Sequence, residues 1–139
     1  MITAVDTNIL LDILLPNEEF FARSRRSLED AWTSGALVVC DLVYAEVSVH
    51  FSTRLECDAF LGETGIRVEA LEREASFLAG RAWRTYRKQG GKRNRILTDF
   101  LVGAHAHVQA SQLLTRDRGF YRQMFPSLGL LDPSNLPKE

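Results

Sequence analysis

Four carboxylates in this chain stand where they could do chemistry: Asp6, Glu46, Asp99 and Asp117. Asp6 opens the triplet "DTN", directly after a short apolar run. Asp117 follows "QLLT" with only Arg116 between. Asp99 lies near the start of "LTDFLVGAHAHVQAS", and Glu46 lies inside "LVYAEVSVHF". Each acid also has a structural role open to it. Asp6, Asp99 and Asp117 sit where helix N-caps sit, and a carboxylate there accepts backbone N–H bonds and favours the helix dipole. Glu46 falls among apolar residues, where a charge needs a cation, a donor or a metal beside it unless it reaches an exposed edge. Brought to one place, the four would repel one another without a cation. Mg²⁺ prefers oxygen ligands, keeps several waters and often recruits substrate phosphates. A pair of such ions can clamp the attacking and leaving oxygens of a phosphodiester displacement. Thr7, Asn8 and Thr115 could hold metal-bound waters or orient the carboxylates, or could serve only as local caps. Asp12, one turn beyond Asn8, is expected to point elsewhere. His105 and His107 form an H-x-H on a helical stretch, where residues two apart do not share a face, and they read as packing or surface residues.

The elements that must position these acids alternate. Residues 2–5 read as a strand, followed by a buried helix in "TNILLDILL" that Pro16 stops. A helix over 18–34 puts Phe20, Phe21, Leu28, Ala31 and Trp32 on one side, and Gly35 closes it. "ALVVC" reads as a buried strand, and Asp41 caps a helix over 42–52. Another helix covers 54–61, ended by Gly62 or Gly65, and "IRVEAL" (66–71) alternates as a strand does. A helix over 72–88 places Phe77, Leu78, Ala82, Trp83 and Tyr86 on its apolar side. "QGGKRNR" breaks it before a tightly packed helix over 97–111. Residues 112–115 form a strand, 118–125 a short helix and 128–131 a last strand. Strands alternating with helices predict an α/β three-layer sandwich around a parallel sheet of about four or five strands. Ligands in such folds bind beyond the carboxyl ends of the strands, near the switch point of strand order. Asp6 and Asp117 fall at that edge.

The bulk properties narrow the classes. A chain of 139 residues, 45% apolar and 25% charged, fits one globular domain, here residues 1–139. No apolar run reaches the ~18 residues of a membrane span, and no signal peptide is expected. Cys40 and Cys57 are too few and too isolated for a disulfide framework, which points to a reducing, cytoplasmic setting. Net charge is −1, yet Arg84, Arg87, Lys88, Lys92, Arg93 and Arg95 run together with no acid among them. Such local charge can face phosphates, or simply be solvated.

The pieces "VDTNILLD", the glutamate of "DLVYAEV", "LTDFLVGAHA" and "LLTRDRGFY" come in an order that resembles PIN-domain proteins, and within them the VapC-type toxins of bacterial toxin–antitoxin pairs. The resemblance spans nearly the whole chain. It implies a PIN-like parallel α/β sandwich and a Mg²⁺- or Mn²⁺-dependent endoribonuclease that cuts a structured RNA such as a tRNA or an rRNA loop. It carries the acidic positions over to Asp6, Glu46, Asp99 and Asp117, and the accessory polar positions to Thr7, Asn8 and Thr115. It also implies a homodimer and a cognate antitoxin laid across the active-site groove. Gly103 and Ala104 suit a helix packed closely on the sheet.

On this reading Asp6 and Asp99 bind the ion directly, and Glu46 and Asp117 bind it directly or through water. Lys92, Arg93 and Arg95, with Arg116 and Arg118 as a second set, are candidates to hold the RNA backbone, which positions rather than reads sequence. Two rivals remain open. A phosphatase-like phosphohydrolase would want a second aspartate where Asn8 stands, and a phospho-receiver would want one after its third strand. The other rival is a non-catalytic PIN module that binds only a metal or a partner.

Overall fold

The structure, a computed structural model, describes residues 1–15, 17–91 and 97–135. Pro16, expected to stop the first helix, and Lys92, Arg93 and Arg95 of the basic run lie outside the described residues. The element order is β1 (Ile2–Val5), α1 (Thr7–Leu14), α2 (Phe21–Ser34), β2 (Ala36–Cys40), α3 (Asp41–Ser48), α4 (Arg54–Glu63), β3 (Ile66–Glu69), α5 (Arg73–Lys88), α6 (Leu97–Gln109), β4 (Gln112–Leu114), α7 (Arg118–Met124) and β5 (Gly129–Leu131), then a 3₁₀ turn over Pro133–Asn135. The strands form one five-stranded sheet in the order β3-β2-β1-β4-β5, with every pair parallel. Thr3, Ala4 and Val5 of β1 and Leu37–Cys40 of β2 are buried on both sheet faces, so helices cover both and the fold is an α/β three-layer sandwich.

The chain runs outward from β1 to β2 and β3, returns to lay β4 on the other side of β1, and ends in β5. The switch point therefore lies between β1 and β4. There the Asp6 N–H donates to the Leu114 carbonyl at 2.9 Å and extends the ladder by one residue.

Several elements differ from the sequence expectations in extent. The helix expected over 42–52 ends at Ser48: the His50 and Phe51 N–H groups bond three residues back, to Val47 and Ser48, so the backbone tightens into turns. Asp41 is the first residue of α3 rather than its cap, and Cys40 holds the cap position without a side-chain bond. The helix expected from residue 18 begins at Phe21. Trp32 is 60% exposed, and its indole lies over Gly65, whose φ of +74° turns the chain from α4 into β3. Phe77 is also on the surface, with the Arg81 guanidinium 4.8 Å above its ring. The face of α5 toward the core is carried by the small Ala75 and Ala79, which let α5 approach α6 closely.

On α6, Gly103 makes room for the Phe125 ring; a Cβ there would stand 2.5 Å from the ring. His105 is buried with its Nε2 3.1 Å from Glu69 Oε1, which ties α6 to β3; burial holds its imidazole below the ordinary pKa. His107 is exposed, and both cysteines are buried as free thiols.

Candidate active site

Asp6 is the residue on which the site is built. It ends β1 and caps α1, with its own N–H in the sheet and its Oδ1 accepting the Thr7 N–H at 2.8 Å. Capping therefore uses one carboxylate oxygen. The other, Oδ2, accepts the Thr115 hydroxyl at 2.8 Å and the Asn8 Nδ2 at 3.4 Å. Thr115, at the carboxyl end of β4, is fully buried. Its Oγ1 in turn accepts the Asp117 N–H at 2.9 Å. The turn that carries Asp117 is thus fastened to Asp6 through one hydroxyl, across the switch point between β1 and β4.

Glu46 reaches the same place from α3. The Thr7 hydroxyl donates to Glu46 Oε1 at 2.9 Å. Glu46 is exposed, not packed among Val43 and Val47: α3 turns those two residues into the core and leaves the glutamate at the rim. Asp99 comes from the first turn of α6 and is half-buried. Asp117 stands at the N-terminal end of α7, where its side chain makes no capping bond.

The electrostatics show that these groups share a site. Burial pushes the Asp6 carboxyl up to about 6 from an ordinary 3.8. The bonds from Thr115 and Thr7 pull it down, and the charges of Glu46 and Asp99 push it up again. A second reporter is Tyr121, buried on α7 one turn beyond Asp117. Burial, the charges of Asp6, Asp99 and Asp117, and a hydrogen bond to Asp6 hold its hydroxyl protonated, far above the usual phenol range. Sequence reasoning missed Tyr121. The signal was its four-residue spacing from Asp117, which puts both on one helix face.

Arg116 and Arg118 were expected to face RNA phosphates. Arg116 makes a bidentate pair with buried Asp12, Nε to Oδ2 at 2.9 Å and Nη2 to Oδ1 at 3.0 Å, against the Phe20 ring. The pair uses one donor edge of the guanidinium, Nε and Nη2, and the Phe20 ring covers a face of it. Arg118 is more open and lies 3.6 Å from Asp132.

The donor set is all oxygen, which fits a hard divalent ion rather than a soft one. Among the described residues, no three His, Cys, Asp or Glu side chains close a cage around an ion. Carboxylates that fringe a site suit an ion that keeps several waters. A separate cavity of about 940 Å³ opens away from the acids, between α2 and the end of α4, lined by Phe21, Leu28, Trp32 and Gly62–Gly65.

The PIN-domain family model matches residues 3–125. No curated protein matches the chain by sequence. Several solved structures share the fold. VapBC2 from Rickettsia felis, bound to a promoter DNA fragment, aligns at a TM-score of 0.72 and 19% identity over 95% of this chain and 98% of that one. VapBC-1 from nontypeable Haemophilus influenzae aligns at 0.70 and 20% identity, over 97% and 100%. FitAcB from Neisseria gonorrhoeae aligns at 0.69 and 16% identity, over 98% and 100%.

Proposed function

The chain belongs to the PIN-domain family, and from that premise we propose that it is a Mg²⁺- or Mn²⁺-dependent endoribonuclease, the toxin of a toxin–antitoxin pair. The observation that carries the reading is Asp6 at the carboxyl edge of the sheet, held from three sides, with its carboxyl raised by burial and further by the neighbouring Glu46 and Asp99. A protein keeps like charges this close at a cost, and a divalent cation offsets it. When bound, such an ion supplies an acidified water for in-line attack at phosphorus and positive charge for the transition state.

The residues of the chain have separate tasks in this reading. Asp6 and Asp99 are the direct ligands, and Glu46 and Asp117 bind directly or through water. Thr115 fixes one oxygen of Asp6 and the Thr7 N–H the other, so the carboxylate cannot rotate away from the ion. The Thr7 hydroxyl turns Glu46 toward the cluster, and Asn8 braces Asp6 and the Arg116 backbone at once. Arg118, with Lys92, Arg93 and Arg95, is the candidate to hold the RNA backbone, and target choice rests on RNA shape and splayed loop bases.

The similar structures VapBC2 and VapBC-1 support an antitoxin partner. A cytoplasmic homodimer completes the reading. The test is direct. Purified protein cuts a tRNA or rRNA-loop substrate with Mg²⁺ or Mn²⁺ and stops with chelator, and Asp6→Ala and Asp99→Ala lose the activity. Variants that cut as fast as the parent overturn the site.

A further inference from the structure

The Asp12–Arg116 pair lies one residue from Thr115 and Asp117 in the chain and joins the β4–α7 turn to α1. Asp12 is buried on α1, where it also accepts the Ser24 hydroxyl of α2 at 2.7 Å. Arg116 sits between Thr115 and Asp117, the two residues of the β4–α7 turn that meet Asp6 and the acid cluster. Its backbone N–H donates to Asn8 Oδ1 at 3.3 Å, and its guanidinium lies 4.1 Å from the Phe20 ring centroid. The turn is therefore tied to α1 twice, once by backbone and once by a bidentate ion pair. A bidentate fork fixes direction as well as distance.

We propose that Arg116 is a positioning residue: through its fork on Asp12 it clamps the β4–α7 turn against α1 and so sets Thr115 and Asp117 relative to Asp6. The inference rests on the divalent-ion site proposed above and assigns it a brace 104 residues apart in sequence. Surface ion pairs contribute little, but the Asp12 end of this one is withdrawn from water, and removal of Arg116 leaves a buried carboxylate with only the Ser24 hydroxyl to offset its charge.

The experiment compares Arg116→Lys, Asp12→Asn and the double variant Asp12→Leu/Arg116→Met, which leaves no buried charge alone. Three readouts are taken: hydrogen exchange at the Arg116 and Asp117 amides (at residue 116, of whichever residue stands there), Mn²⁺ affinity by calorimetry, and kcat and KM for RNA. Positioning predicts faster exchange at both amides in the metal-free protein. It also predicts Mn²⁺ affinity and kcat lower by about ten- to a hundredfold, with KM for RNA changed by less than about twofold. The double variant should lose no more than the worse single one, because all three remove one clamp. A phosphate-contacting Arg116 gives the opposite split: KM rises, Asp12→Asn is neutral, and the amides keep their protection; that result overturns the clamp. If the parent protein neither binds Mn²⁺ nor cuts RNA, the ion site fails instead, and amide exchange still decides whether the clamp holds the turn.

Discussion

At the scale of the residue, Asp6 is under opposed forces. Burial and two neighbouring carboxylates raise its carboxyl to about 6, while two hydrogen bonds restrain the rise. In the unfolded chain the group titrates near 3.8, so between pH 4 and 6 the native state binds more protons than the unfolded one. Stability supplied by the protonated form is present below the lower value and is lost as pH rises through the upper one. The loss comes to about 3 kcal/mol. In divalent-free buffer, Asp6→Asn should therefore raise the urea midpoint at pH 8, and the gain should shrink toward zero by pH 4. An unchanged midpoint at pH 8 would show that Asp6 carries no such penalty. Tyr121→Phe removes the hydroxyl that faces three carboxylates and leaves the ring packing on Phe120 in place. The expected effect is a fall in kcat of about two- to tenfold, the worth of one hydrogen bond to a charged group or less, with the melting temperature within a few degrees of the parent.

At the scale of the element, α6 couples packing to the site. It carries Asp99 in its first turn and Gly103 one turn later, where Phe125 fills the space that a side chain would need. Alanine is the better helix former by about 1 kcal/mol, so propensity alone favours Gly103→Ala. Overpacking against a buried ring costs about 1–3 kcal/mol, and contact should win. Calorimetric melting should show Tm lower by roughly 2–7 °C, and an unchanged or higher Tm would mean that Phe125 moves aside freely. The same competition explains where periodicity misled. A 3.6-residue pattern places Trp32 and Phe77 on apolar faces, yet both stand at the edges of those faces, where Gly65 and Arg81 offer only partial cover.

At the scale of the whole molecule, the strand order assembles the candidate site. Laying β4 beside β1 brings Thr115 and Asp117 to Asp6, and α3 and α6 close the same edge with Glu46 and Asp99. A divalent ion held by these acids together would bind only the folded arrangement, so on the proposed function it should stabilise the protein by linkage. At a hundred times its Kd, Mn²⁺ adds about 2.7 kcal/mol, read as a rise in Tm that grows with ion concentration. Asp6→Asn, although more stable without metal at pH 8, should lose that rise. Equal rises in parent and variant would place the ion elsewhere.

The sequence by itself determined the element order, the parallel sheet and the family, and it singled out the four acids as candidates, because hydrophobic periodicity and short strand-to-helix motifs are local properties of the chain. Helix ends were less legible: the last turn of α3 depends on where the chain must go next. Only the tertiary structure decided what the acids touch. Thr115 on Asp6, Thr7 on Glu46 and Arg116 on Asp12 join residues 109, 39 and 104 apart, and no local pattern encodes such a pairing. Arg116 read as a candidate to hold an RNA backbone; the fold set the buried carboxylate of Asp12 across from it, and the cost of leaving that charge alone favours the pairing.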